Sequence, residues 1–391
     1  MRKHLNEEVG VPENLVETAF EIYNRYLTGV KEFTDIRDLN SEPVEIRGDY
    51  RISDYEFREV EIETDLIVRD LDRLEIVGAG FSLGGTEFKD KYRTMSFSQD
   101  TNRIGLIVRI LSTPTTDIND VVGLLESNKK KLISTMAHEL KHAYDVFKKP
   151  EEKTTSRSEY RVYSNFNFDN ITPLNKLLFD LYFSTSIENL VRPSEFAATL
   201  KVHGIDKKDF YDFMVNDKVF KQLKEIRDFS YEGLRESLKG YLPQIGDVLS
   251  QLDVDYENLS ESEMVDKILR LFYINLVNWK VETLLDMLPS PNPFAALLGM
   301  DSGMDSNVEE LITNYRDKLQ KYEGNPEHFY KTVESEFKSS SNKMIRKLGK
   351  VYSIINKDEV VSESTPDFDI WTELLTIKPK ITTEIKNPLK R

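Results

Sequence analysis

His138-Glu139-Leu140-Lys141-His142 sets two imidazoles four residues apart, with a carboxylate directly after the first, in a chain that has five histidines. On an α-helix, residues four apart stand one above the other on the same face. Two imidazoles so placed can converge on one divalent cation, and Zn²⁺ is an ion that such nitrogen donors suit well. Glu139 then lies beside any water bound to the ion and can take its proton. A site of this class needs one further protein ligand and an open position for water.

The third ligand must come from elsewhere in the chain. His4, His203 and His328 are the remaining histidines, and none follows the motif at the short spacing that would supply a third imidazole. The stretch Leu181–Leu200 offers two carboxylates, Glu188 and Glu195. Ser184, Thr185 or Ser186 can cap a short helix carrying Glu188, and Pro193 can begin a second helix carrying Glu195. Imidazole ligands are usually held through their second nitrogen, for which Asp145, Asp180 and Glu195 are the nearby acceptors.

These two blocks, Lys131–Phe147 and Leu181–Leu200, resemble the glutamate-ligand zincins (gluzincin-type metallopeptidases). The second block is similar to a Tyr-x-x-x-x-x-Glu-x-x-(small)-Arg pattern. That pattern follows the His-Glu-x-x-His motif in phage- and plasmid-borne metallopeptidases and in lethal-factor-like enzymes. Here it reads Tyr182, Glu188, Val191 and Arg192, so the resemblance implies Glu188 as third ligand, 46 positions after His142. It also implies Tyr182 as a stabiliser of the oxyanion. Val191 and Pro193 depart from the pattern, which keeps Glu195 open as the alternative ligand. The implied function is a zinc-dependent peptidase holding one Zn²⁺, with Glu139 as general base, acting on a protein or peptide substrate. Two alternatives stand beside it. One is a zincin-fold structural protein, such as a virion component, that binds zinc without turnover; the other is a metal-dependent hydrolase of a non-peptide amide. The same resemblance brings in a homo-oligomer or a virion partner, and a cytoplasmic or virion-associated setting.

The motif needs a helix to position it. Leu132, Ile133, Met136, Ala137, Leu140, Ala143, Tyr144 and Phe147 recur at helical spacing, with Ser127 as N-terminal cap and Pro150 just beyond the last turn. Upstream, a helix from Pro12 to about Gly29 shows Val16, Phe20, Tyr23 and Leu27 on one face. Between Pro43 and Pro114 the period changes to two. Strands are expected at Val44–Arg47, Tyr55–Ile62, Leu66–Val68, Leu74–Val77, Tyr92–Phe97 and Ile104–Leu111. The glycine-rich run Gly78–Gly85 lies within this region with no helix after it, which suits a hairpin turn or glycine bulge and not a phosphate loop. Ile104–Leu111, the last strand before the motif, is the candidate edge to which an extended substrate would add.

After the motif, Lys148–Ser158 reads as a charged linker, and helix resumes at Leu174–Tyr182. From Lys207 to about Lys350 the pattern is almost wholly helical, with Phe220–Phe229, Met264–Leu288, Val308–Tyr322 and Phe329–Lys347 as examples and Pro289–Pro293 as a loop. The expected class is therefore α+β: a zincin-like catalytic domain, a mixed sheet plus the motif helix, followed by a mainly helical C-terminal domain. The expected divisions are an N-terminal helical segment at 1–42, the catalytic domain at 43–204, the helical domain at 205–352 and an extended tail at 353–391.

Composition narrows the partners. A formal charge of −15 argues against general nucleic-acid affinity, although Ile377–Arg391 is locally basic. There are no cysteines, so disulfides and thiolate ligands are excluded. No apolar run reaches the length of a membrane span, and Met1–Glu8 lacks the apolar core of a secretory signal.

Overall fold

The computed structural model describes residues 10–68, 75–83, 103–148, 162–163, 168, 170–206, 208–252, 254–286, 313–314, 317 and 325–355. The described residues, which run to Ile355, all belong to one compact unit, and the expected divisions at 42/43 and 204/205 lie inside it. The tail, the strand at Tyr92–Phe97, the Pro289–Pro293 loop, nearly all of Val308–Tyr322 and most of the charged linker fall outside the described residues.

Helix α1 (Leu15–Val30) is the first element among the described residues and is followed by the short helix α2 (Ile36–Ser41). The buried stripe of α1 is Leu15, Ala19, Ile22, Tyr23 and Tyr26. Of the expected face, Val16 and Tyr23 are buried, but Phe20 is 37% exposed, and Ile22 and Tyr26 lie on the buried side in its stead. Both buried tyrosines satisfy their hydroxyls, Tyr23 donating to the Leu125 carbonyl at 3.0 Å and Tyr26 meeting Thr64 Oγ1 at 2.8 Å.

Four strands follow, β1 (Val44–Ile52), β2 (Tyr55–Val68), β3 (Glu75–Leu83) and β4 (Arg103–Ser112), in the spatial order β1-β2-β4-β3. The sheet is mixed, with β1–β2 and β3–β4 antiparallel and β2–β4 parallel. Alternation drives one face inward through Val44, Ile46 and Ile52 on β1 and Ile104, Leu106, Val108 and Ile110 on β4. Of the two readings of the glycine-rich run, the bulge is the one supported: its first six residues are strand, with a register shift between Ile76 and Gly78. One expectation is corrected here: β4 is not an edge. Both its sides are hydrogen-bonded, to β2 and β3, so no substrate strand can add to it. The two strands expected at Tyr55–Ile62 and Leu66–Val68 are one, β2.

Helix α3 (Ile118–Ser127), capped by Asp117, leads into the motif helix α4 (Lys129–Lys148). Ser127 does not cap α4; its hydroxyl donates back to the Leu124 carbonyl at 2.9 Å and closes α3. Helix α1 packs on β1, α4 packs on β3, and the two helices pack on each other. Lys131 Nζ donates to the Ile76 carbonyl of β3 at 3.2 Å, and the Phe147 ring stacks on Tyr55 at 4.3 Å, so both ends of α4 are tied to the sheet.

Beyond it come α5 (Thr172–Phe183), α6 (Ser186–His203), α7 (Phe210–Asn216), α8 (Lys218–Arg227), α9 (Tyr231–Leu238), α10 (Leu242–Gln251), α11 (Glu261–Asp286) and α12 (Pro326–Ile355). Helix α6 packs along α4, and α12 spans α6, α8, α9 and α11, joining the helical half to the back of the site. The whole is α+β, with a small mixed sheet and a predominance of helix.

Candidate metal centre

Two helix faces meet here. On α4, His138 and His142 occupy successive turns of the face opposed to α6, among the buried Leu132, Ile133, Ala137, Leu140 and Ala143. On α6, Glu188, Arg192 and Glu195 recur at i, i+4 and i+7 and so share one stripe. Thr185 caps this helix, its Oγ1 accepting from the Glu188 amide at 3.4 Å, and Gly204 at φ +62° ends it. Pro193 does not start a second helix; it lies inside α6, which continues past it. That continuity puts both candidate carboxylates on one rigid element.

The donor atoms converge. His138 Nε2 lies 3.1 Å from His142 Nε2, and the Glu188 carboxylate is 3.6 Å from each imidazole, Oε2 towards His138 and Oε1 towards His142. An ion bound at about 2.0–2.1 Å in tetrahedral geometry separates its ligands by roughly 3.3 Å. The three spacings bracket that value. Among the described residues, His138, His142 and Glu188 are a fully buried group able to hold a metal ion. Glu45, Glu59 and Glu61 are a second acidic group, half-buried to exposed and lacking a histidine.

Glu188 and Glu195 take different places. Glu195 Oε2 faces the other side of His138, 3.2 Å from Nδ1. An ionised carboxylate only accepts, so Nδ1 carries a proton, and in the neutral imidazole that tautomer leaves the Nε2 lone pair for a ligand role. Of the other carboxylates expected to hold imidazoles, Asp145 pairs with Lys141 at 2.5 Å, and Asp180 with Lys176 and the Gln222 amide. Tyr182 donates its hydroxyl to Glu188 Oε1 at 2.8 Å. In this arrangement it orients the candidate ligand.

Electrostatics favour a cation. Burial pulls His142 down to about 4, so it is a neutral imidazole at pH 7. Burial also opposes charge on His138, yet the Glu195 bond and the charges of Glu139 and Glu188 leave it raised. For Glu188, burial is overcome by the His142 bond and by Arg192, which bring it to about 2; Glu195 is held well below the ordinary carboxylate range, against burial, chiefly by Arg192 and His138. Burial lifts Glu139 to about 7, with Glu188 and Glu195 adding to the rise. Glu188 and Glu195 thus share one guanidinium, Arg192, with the largely exposed Lys218 on Glu195. Two imidazole nitrogens and a carboxylate facing one buried space form a donor set that suits a divalent cation.

Arg192 is the functional candidate that sequence reasoning assigned no role. Its signal was present as Glu-x-x-x-Arg-x-x-Glu, three positions on one helical face, but reading Pro193 as a break hid it. Comparison with family models, with curated proteins and with solved structures finds no match to the chain.

Proposed function

We propose that this chain is a zinc-dependent metallopeptidase of zincin-like architecture, hydrolysing amide bonds in a protein or peptide. The observation that carries the reading is the convergence of His138 Nε2, His142 Nε2 and a Glu188 oxygen, with Glu139 on the same helix as the imidazoles. A mixed sheet with the motif helix packed along it, and a second helix delivering the glutamate, supports the zincin-like assignment.

When bound, zinc would polarise the scissile carbonyl and lower the pKa of a water towards neutrality. His138, His142 and Glu188 would hold it. Glu195 would keep His138 in the tautomer that offers Nε2. Glu139 would accept the proton of the attacking water and return it to the leaving amine; a carboxyl lifted by burial towards neutral pH moves a proton both ways at small cost. Tyr182, bonded to Glu188, would keep that carboxylate turned to the imidazoles, and it could serve the oxyanion only by releasing this bond.

The depth of the donor set favours a second reading, a structural zinc site without turnover: Glu188 is 0% exposed, and both imidazoles are buried. One variant separates the two. Glu139→Gln should retain equimolar zinc while cleavage of a denatured protein falls by about 10² to 10⁴. Zinc-loaded wild type that leaves denatured protein and unstructured peptides intact would rule the peptidase out and leave the structural site.

A further inference from the structure

Arg192 closes a ring around His138. Its Nη2 donates to Glu188 Oε2 at 2.5 Å and its Nη1 to Glu195 Oε2 at 2.7 Å. The same two oxygens face His138, Glu188 Oε2 at its Nε2 and Glu195 Oε2 at its Nδ1. The guanidinium is 11% exposed and stacks over the Phe183 ring at 4.1 Å. Lys218, the other cation at hand, reaches only Glu195 Oε1, at 3.1 Å, and is 69% exposed, so solvent screens it.

We propose that Arg192 is a resident counter-cation that holds Glu188 and Glu195 in ligand geometry before any divalent ion arrives, and whose fixed charge weakens that ion's binding. Two carboxylates on opposite sides of one imidazole repel each other when buried, and a planar guanidinium can bind both at once. An ammonium is a point charge on a flexible stem and cannot bridge them as well. Once a divalent ion binds among the donors, a permanent positive charge bonded to one ligand repels it. Arg192 is therefore a positioning residue: it makes the metal-free site stable and the metal-loaded site less tight. This rests on the metal-site reading above.

The test is a double-mutant cycle with two readouts, the thermal midpoint of chelator-treated protein and zinc affinity by competition with a chromophoric chelator. Arg192→Met should lower the metal-free midpoint by about 3 °C or more, bind zinc roughly tenfold tighter or more, and gain more in midpoint on adding zinc than wild type does. Arg192→Lys should fall between. Adding Glu195→Gln to Arg192→Met removes an uncompensated carboxylate, so the metal-free midpoint should recover towards wild type. If Arg192→Met folds only with zinc, that outcome supports the proposal; if it does not fold at all, recovery of folding in the double variant decides.

An arginine that merely packs on Phe183 predicts no recovery in the double variant and zinc binding that is unchanged or weaker. Either result overturns the proposal. Wild type that takes up no zinc would contradict the metal site and leave the recovery in the double variant to stand by itself. Zinc-binding wild type with unchanged affinity in Arg192→Met would overturn the role of Arg192 alone.

Discussion

Glu188 and Glu195 lie on one helix, two turns apart, and the structure gives them different tasks that amide substitution should expose. Glu188 faces both Nε2 atoms at 3.6 Å, whereas Glu195 meets only His138 Nδ1, at 3.2 Å. Zinc sites of four ligands have apparent binding energies of about 10–16 kcal/mol, or roughly 2.5–4 kcal/mol for each ligand. Glu188→Gln, which exchanges a charged ligand for a weak neutral one, should therefore weaken zinc by about 10² to 10³. Glu195→Gln keeps an amide oxygen able to accept from Nδ1–H, while losing the charge and the second acceptor oxygen that Lys218 meets. Changes at such outer partners weaken metal by roughly 10- to 100-fold, and the retained acceptor places this variant at the lower end. The assay is competition for zinc against a chelator of known affinity, at fixed pH, with both variants checked for folding by circular dichroism. Equal losses in the two variants, or a larger loss in Glu195→Gln, would refute the division of roles.

Two predictions concern the scaffold. Gly29 on α1 lies against Val44 on β1 so closely that an added Cβ would collide with the valine side chain. Gly29→Ala should destabilise by about 1–3 kcal/mol, read as a lower denaturant midpoint, and an unchanged midpoint would contradict the packing. Burial pushes the Tyr23 and Tyr55 hydroxyls up to about 12 and raises those of Tyr26 and Tyr330 as well. An unfolded tyrosine ionises near ~10, so above that pH the unfolded chain has lost protons that the folded chain keeps. Stability must then fall as pH rises from about 10 towards about 12. A thermal midpoint that stays flat through this window would show that these phenols are not buried as described.

The motif helix was legible because its apolar stripe is dense and helical in period, so Leu132, Ile133, Met136, Leu140 and Ala143 define one buried face, with His138 and His142 beside it. The long helices at Glu261–Asp286 and Pro326–Ile355 were legible for the same reason. What failed was non-local or locally ambiguous. Strand order cannot be read from alternation, and β4 looked like an edge only because β3 reaches it from an earlier part of the chain. Proline is a boundary signal on local grounds, yet α6 continues through Pro193 with Val191, Pro193 and Ser194 buried, as tertiary packing outweighs one lost backbone bond. Phe20 was placed on the buried face by its helical spacing from Val16 and Tyr23; the smaller Ala19 and Ile22 pack there instead. Short helices such as Phe210–Asn216 and Tyr231–Leu238 carry too few turns for their period to stand out.

The proposed chemistry requires a metal ion in the space between α4 and α6. Elemental analysis of protein purified without added metal, compared with His142→Ala, tests this most directly. One zinc per chain in wild type and a loss of nearly all of it in the variant is the expected result. Wild type with no bound metal after incubation with equimolar zinc and desalting, or a variant that holds zinc as well as wild type, would contradict it.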